Sequence, residues 1–228
     1  PVLPNRTLDP WDALNPYELW VLVIVISAFS LFGYVLSRWL GATKGAALTG
    51  FLGGLVSSTA VTLSLARRSR ESAAGRPADT ALISGLTLAW STMFVRVIAE
   101  VALVHAPLVP RVALGMGSMA VAAAVVALIN FRRANAGGSA VSVSLKNPFS
   151  LTAAIKFAAL FAVVLCFVAL ASRNSSSSGV YVVAALAGLT DVDAITLSMA
   201  RAVRDGSDAD VAVRAITTAA VTNTLVKC

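Results

Sequence analysis

Residues 54–67 read "GLVSSTAVTLSLAR" and residues 188–201 read "GLTDVDAITLSMAR". The two stretches share Gly-Leu at the start and Ala-x-Thr-Leu-Ser-x-Ala-Arg at the end. They differ in the middle, where Ser57 and Thr59 of the first stand against Asp191 and Asp193 of the second. Everything around the two carboxylates is apolar or small, so their presence needs a physical reason.

The composition narrows the reasons. Hydrophobic residues make up 57% of the chain, charged residues only 13%, and mean hydropathy is +0.82. A soluble domain carries about 25% charged residues. The apolar residues fall into blocks at 19–36, 46–66, 81–104, 112–131, 151–172, 179–200 and 211–226. Each is close to the ~20 residues that cross a hydrocarbon core as a helix. No alternating ten-residue segments suggest a β-barrel. The expected fold class is an all-α polytopic membrane protein in contact with the lipid bilayer.

Net charge +7 and a pI near 10.1 would point to nucleic acid in a soluble protein. Here the basic residues cluster between the apolar blocks, which reads as topology. Eleven lie on the N-terminal arm and after blocks two, four and six, against five on the other side. If every block crosses, the positive-inside rule places the N-terminus in the cytoplasm. Cys166 and Cys228 have no metal or disulfide spacing. The lead-in "PVLPNRTLDPWDALNPYELW" lacks a signal peptide's charged n-region and resembles a linker. With the abrupt ending "VTNTLVKC", it leads us to expect a chain cut from a longer one.

Further landmarks recur in the same order. "NPYELW" (15–20) returns as "NPFSLT" (147–152), and "TMFVR" (92–96) returns as "NTLVK" (223–227). The spacings of 132, 134 and 131 residues mark an internal duplication. We read 1–14 as a linker, 15–131 as the first membrane repeat, 132–146 as a cytoplasmic linker, and 147–228 as a second repeat without its fourth segment. Four crossings per repeat would make the copies parallel; one re-entrant segment would make them inverted. The charge bias favours parallel copies.

Blocks two and six are expected to be broken helices. Gly50, Gly53 and Gly54 precede Ser57, Ser58 and Thr59, and Gly188 precedes Thr190 and Asp191. Glycine followed by Ser, Thr or Asp is helix-start grammar, set here in mid-membrane. Freed backbone groups need partners there, because lipid offers none. Interrupted segments at matching positions of two halves are a sequence pointer to a transport site. Asp191 and Asp193 lie about 200° apart on an ideal helix and could share an ion only where the backbone unwinds. Oxygen-only ligation by Asp191, Asp193 and Thr190, with Ser57, Ser58, Thr59 and Asn223 as further candidates, suits a hard cation such as Mg²⁺ or Na⁺. Simple helix-start caps are the bland reading of the two Asp residues. Arg96 and Lys227, the matched cations of blocks three and seven, would tune the field. Glu100, four residues after Arg96, could neutralise it.

"NPYELWVLVIVISAFSLFGYVLSRWLGATKGAALTGFLGGLVSSTAVTLSLARRS" (15–69) and "AALAGLTDVDAITLSMA" (184–200) resemble the DUF4010 module of the MgtC/SapB family of bacterial membrane proteins. The resemblance implies a multi-helix inner-membrane domain, a missing N-terminal MgtC-like domain of the same chain, and possible magnesium transport. It supplies no site residues. The expected function is an inner-membrane ion channel or transporter, homo-oligomeric and not an enzyme, with no cofactor besides a bound cation. The alternatives are an anion-selective pore and a regulator that docks onto another membrane protein. No nucleic acid partner is expected.

Overall fold

The computed structural model describes residues 3–7, 15–40, 46–71, 78–134, 151–173 and 177–228. Most of the 1–14 linker, including Trp11, and residues 135–146 of the second linker lie outside the described residues. So do 174–176 of the "SRNSSSSG" segment. Among those described, the chain is helical and contains no strand: α1 (Pro16–Leu40), α2 (Ala46–Glu71), α3 (Ala78–His105), α4 (Val109–Ala134), α5 (Leu151–Arg173), α6 (Ser177–Gly188), α7 (Asp193–Arg204) and α8 (Ala209–Val226), with a 3-10 turn at Ala106–Leu108.

Among the described residues, three stretches are long and apolar enough to cross a membrane: Pro16–Leu36, Ala47–Arg67 and Thr80–Ala134. The last, 55 residues, would be far too long for one crossing. It is a hairpin that turns at Pro107. Ser84 Oγ donates to the Ala127 carbonyl at 3.0 Å, and Ser91 Oγ to that of Ala120 at 2.9 Å, so α3 and α4 run antiparallel. Outward apolar side chains such as Trp20, Trp39 and Leu114 are exposed, as expected where lipid replaces water.

Local grammar sets the helix starts. Asn15 Oδ1 accepts from the Tyr17 and Glu18 amides, with Pro16 at the first helical position. Asp208 Oδ1 accepts from the Asp210 and Val211 amides and opens α8.

Helix α2 is not straight. Ser57 is extended (φ −166°, ψ 105°), and the chain changes direction there. Before the break, Gly50 lies on Gly85, and Gly54 on Ala89 and Thr92, so this half runs parallel to α3. After it, Ser58 touches Met93, Thr62 touches Trp90, and Val61 and Leu65 cluster with Leu82 and Ala89. That order runs the opposite way. Both halves of α2 therefore lie along one stretch of α3, folded back at Ser57. The α6–α7 pair has matching contacts: Gly188 lies against Ala219 of α8, and Asn223 reaches the Gly188 carbonyl.

Ion pairs gather the helix ends. Arg201 near the end of α7 meets Glu18 at the start of α1 at 2.7 Å, and Arg204 meets it at 3.3 Å. Arg111 at the start of α4 meets Asp210 at the start of α8 at 3.1 Å. The starts of α1, α4 and α8 and the end of α7 thus share one end of the molecule. If α2 ran straight, α1 and α4 would start at opposite ends.

The fit at Gly50 is unforgiving, because a Cβ there would overlap the Gly85 backbone rather than a side chain that can swing away. Gly50→Val is expected to destabilise the protein by at least about 1–3 kcal/mol, the usual cost of overpacking. A lowered melting temperature in detergent would show it, whereas Gly117→Val, with open space around it, should be silent.

Candidate functional site at the two helix breaks

A broken helix leaves carbonyls at the end of its first half and amides at the start of its second. In the first repeat, Ser57 Oγ accepts from the Ala60 amide at 3.2 Å, and the Leu55 carbonyl accepts from Arg96 NH1 at 3.3 Å. In the second, Asp191 Oδ1 accepts from the Asp193 amide at 2.8 Å, and the Gly188 carbonyl accepts from Asn223 Nδ2 at 2.7 Å. Ser57 and Asp191 occupy the same place in the two copies, and both side chains serve a newly starting helix. Arg96 and Asn223, from matching segments, serve the carbonyls.

The two breaks are joined by two bonds. Arg96 of α3 places NH2 2.6 Å from both carboxylate oxygens of Asp193, at the start of α7. Lys227, just past α8, donates from Nζ to Ser58 Oγ at 2.8 Å and lies 3.4 Å from Met93 Sδ. Arg96 thus reaches the α6–α7 break, and Lys227 the α2 break. Arg96 and Asp193 are buried, and Glu100 Oε1 lies 3.4 Å from Arg96 Nε with its side chain fully buried.

The candidate residues separate into two contacts and several residues that stand apart from them. Arg96, Glu100 and Asp193 form one buried cluster. Ser58 and Lys227 form a second contact, with Met93 between them. Asp191 is half-buried, and among the described residues no Lys or Arg lies within ion-pair distance of it. Thr59 and Thr190 are exposed, Thr190 donating only to the Ala187 carbonyl. Asn223 is buried and spent on backbone. The joint use of Asp191 and Asp193 as metal ligands does not fit this arrangement, because Arg96 takes both Asp193 oxygens. Among the described residues, no group of three His, Cys, Asp or Glu side chains stands together as a metal site.

The model of the Domain of unknown function DUF4010 matches residues 24–228. The chain belongs to the DUF4010 family. It is similar to a protein of Aquifex aeolicus (strain VF5) called "Uncharacterized protein", 30% identical over 185 residues that cover 79% of this chain and 78% of that one. No solved structure matches it.

In this DUF4010 protein, sequence reasoning missed Met93 and Trp90. Trp90 Nε1 donates to Thr62 Oγ1 at 3.2 Å, and Thr62 Oγ1 in turn donates to the Ser58 carbonyl at 2.9 Å. Neither residue recurs in the second copy, which left no repeat signal. Arg201 was also passed over, although it closes the repeated block; its partner Glu18 has Ser150 at the equivalent place.

Breaking a buried ion pair costs about 3–5 kcal/mol, since the remaining charge is left uncompensated. Arg96→Met and Asp193→Leu should each lower the thermal stability of the purified protein markedly. The double variant should be far more stable than the sum of the single losses implies. Additive losses would show that the two side chains do not pair.

Proposed function

We propose that this DUF4010 protein moves a small inorganic ion across a membrane, along a path between two re-entrant helical hairpins that meet near the midplane. The observation that carries this reading is the reciprocal pair of bonds between the two breaks, Arg96 to Asp193 and Lys227 to Ser58. Non-helical backbone at membrane depth is tolerated where protein or a polar cavity satisfies it, and matched interruptions in two repeats are a common transporter plan.

In this reading the repeats are inverted rather than parallel. α1, α3 and α4 cross, and α2 enters and leaves on one side. α5 and α8 cross in the second copy, and the α6–α7 hairpin enters from the other side. The topology of charges then changes. Arg38, Lys44, Arg67, Arg68, Arg70, Arg76, Arg132, Arg133, Lys146 and Lys156 fall on one side; Arg6, Arg111, Arg173, Arg201, Arg204 and Arg214 fall on the other. The positive-inside rule puts the first set in the cytoplasm and the start of α1 outside, the reverse of the four-crossing expectation. A bacterial inner membrane and a homo-oligomer belong to the same proposal. Kinship with MgtC/SapB proteins and magnesium as the substrate are not needed for it.

Asp191 is the group we assign to a cation: a half-buried carboxylate with one oxygen on the Asp193 amide and, among the described residues, no Lys or Arg within ion-pair distance. Asp193 then serves to hold the two repeats together. Lys227 supports an anion-selective reading, because its described partners, Ser58 and Met93, are both neutral.

Two measurements test this. Cysteines at Arg70 and Ser207, in a background with Cys166 and Cys228 replaced by serine, should react with an impermeant reagent from opposite faces of oriented vesicles. Four crossings per repeat would put them on the same face. In proteoliposomes exposed to Mg²⁺, Na⁺, K⁺ or Cl⁻ gradients, Asp191→Asn should abolish cation flux. Flux lost in Lys227→Met but kept in Asp191→Asn would establish the anion reading, and no flux of any ion would end the transport proposal.

A further inference from the structure

Among the described residues, Glu100 is the most deeply buried charged one, 0% exposed, and neither of its carboxyl oxygens has a hydrogen-bond partner there. It sits one turn after Arg96 on α3, with Oε1 3.4 Å from Nε, and that nitrogen likewise completes no hydrogen bond. The guanidinium is instead committed across the repeat boundary to Asp193, with both carboxylate oxygens at 2.6 Å from NH2. One cation thus stands between two carboxyl groups. It binds the one on the other repeat.

Charge balance decides the state of the other. The charged groups acting on Glu100 are Arg96 on its own helix, Asp193 at the start of α7 and Asp191 in the turn before it. With Asp193 ionised and paired, Arg96 is neutralised. An ionised Glu100 would then be an extra negative charge in a dry interior beside two existing ones, which carries a heavy desolvation cost. A proton on Glu100 removes that charge.

We propose that Glu100 is the proton carrier of this protein, so that movement of the ion is coupled to movement of a proton. This rests on the transport reading of the two hairpins. When the α6–α7 hairpin draws away, Asp193 leaves Arg96, and the guanidinium keeps a counter-ion by taking the Glu100 carboxylate beside it. The Glu100 O–H bond breaks, and its proton passes to water admitted by the opening. The carboxylate remains with Arg96. As Asp193 returns to Arg96, Glu100 re-forms its O–H bond with a proton from water that reaches it from the opposite side of the membrane. Arg96 holds one ionised carboxylate in each state, and one proton moves per cycle. A purely structural Arg96–Glu100 pair would keep the same partner throughout and move none.

The test uses the purified full chain in proteoliposomes with a trapped pH-sensitive dye and imposed gradients of Mg²⁺, Na⁺, K⁺ or Cl⁻. In the unaltered protein, the ion that crosses should drive a change in internal pH, and an imposed pH gradient should drive that ion. In Glu100→Gln, ion exchange at equal concentrations on both sides should persist while the pH change is lost. Glu100→Asp should retain both. Ion flux without any pH change in the unaltered protein, or a pH change surviving in Glu100→Gln, overturns proton coupling and leaves the transport reading standing. No ion flux at all overturns both. If Glu100→Gln does not fold, infrared spectroscopy of the unaltered protein decides: a carboxylic acid C=O band that shifts in Glu100→Asp is expected, and its absence at neutral pH overturns the proposal.

Discussion

The contact between Arg96 and Asp193 is the constraint on which the rest of the structure depends. A guanidinium and a carboxylate in a membrane interior are each costly alone, on the order of 2.5–3.5 kcal/mol on insertion scales. Together they become a fixed point. Arg96 belongs to α3 and Asp193 to α7, so the pair cannot be satisfied unless both helices are folded and docked. The same guanidinium serves the Leu55 carbonyl released by the α2 break. One side chain therefore stabilises a break in its own repeat and a hairpin in the other.

The breaks themselves follow from backbone accounting. Lipid accepts and donates no hydrogen bonds, so each amide or carbonyl freed by an interrupted helix must find a protein partner. Ser57 and Asp191 serve the amides; Arg96 and Asn223 serve the carbonyls. Tight helix contacts at Gly50, Gly54 and Gly188 bring the serving helices close enough for this. The glycines and the polar residues are thus parts of one arrangement.

The two helix breaks are unequal in chemistry. At the α2 break the Ser58 hydroxyl is met by the Lys227 ammonium; at the α6–α7 break the Asp193 carboxylate is met by the Arg96 guanidinium. The charged latch between Glu18 and Arg201 adds a second inequality, since Arg67, the counterpart of Arg201, is exposed, and position 150 holds serine where Glu18 would be matched.

The sequence alone determined the helical class, the apolar stretches long enough to cross a membrane, and the stops at Ser57 and after Gly188. These are local matters: block length, and glycine followed by a capping side chain. It also singled out Arg96, Glu100, Asp193, Ser58, Lys227 and Asn223, because polar residues in apolar blocks are conspicuous. What it could not decide was direction. A helix that crosses and a helix that folds back at one residue have the same composition, and only the packing of both α2 halves on α3 tells them apart. Nor could it assign partners, since Arg96 and Asp193 are 97 residues apart in the chain. Their charges made a pairing reasonable, but only the tertiary structure showed that Arg96 takes both Asp193 oxygens. That contact commits Asp193 to Arg96, whereas among the described residues no Lys or Arg lies within ion-pair distance of Asp191.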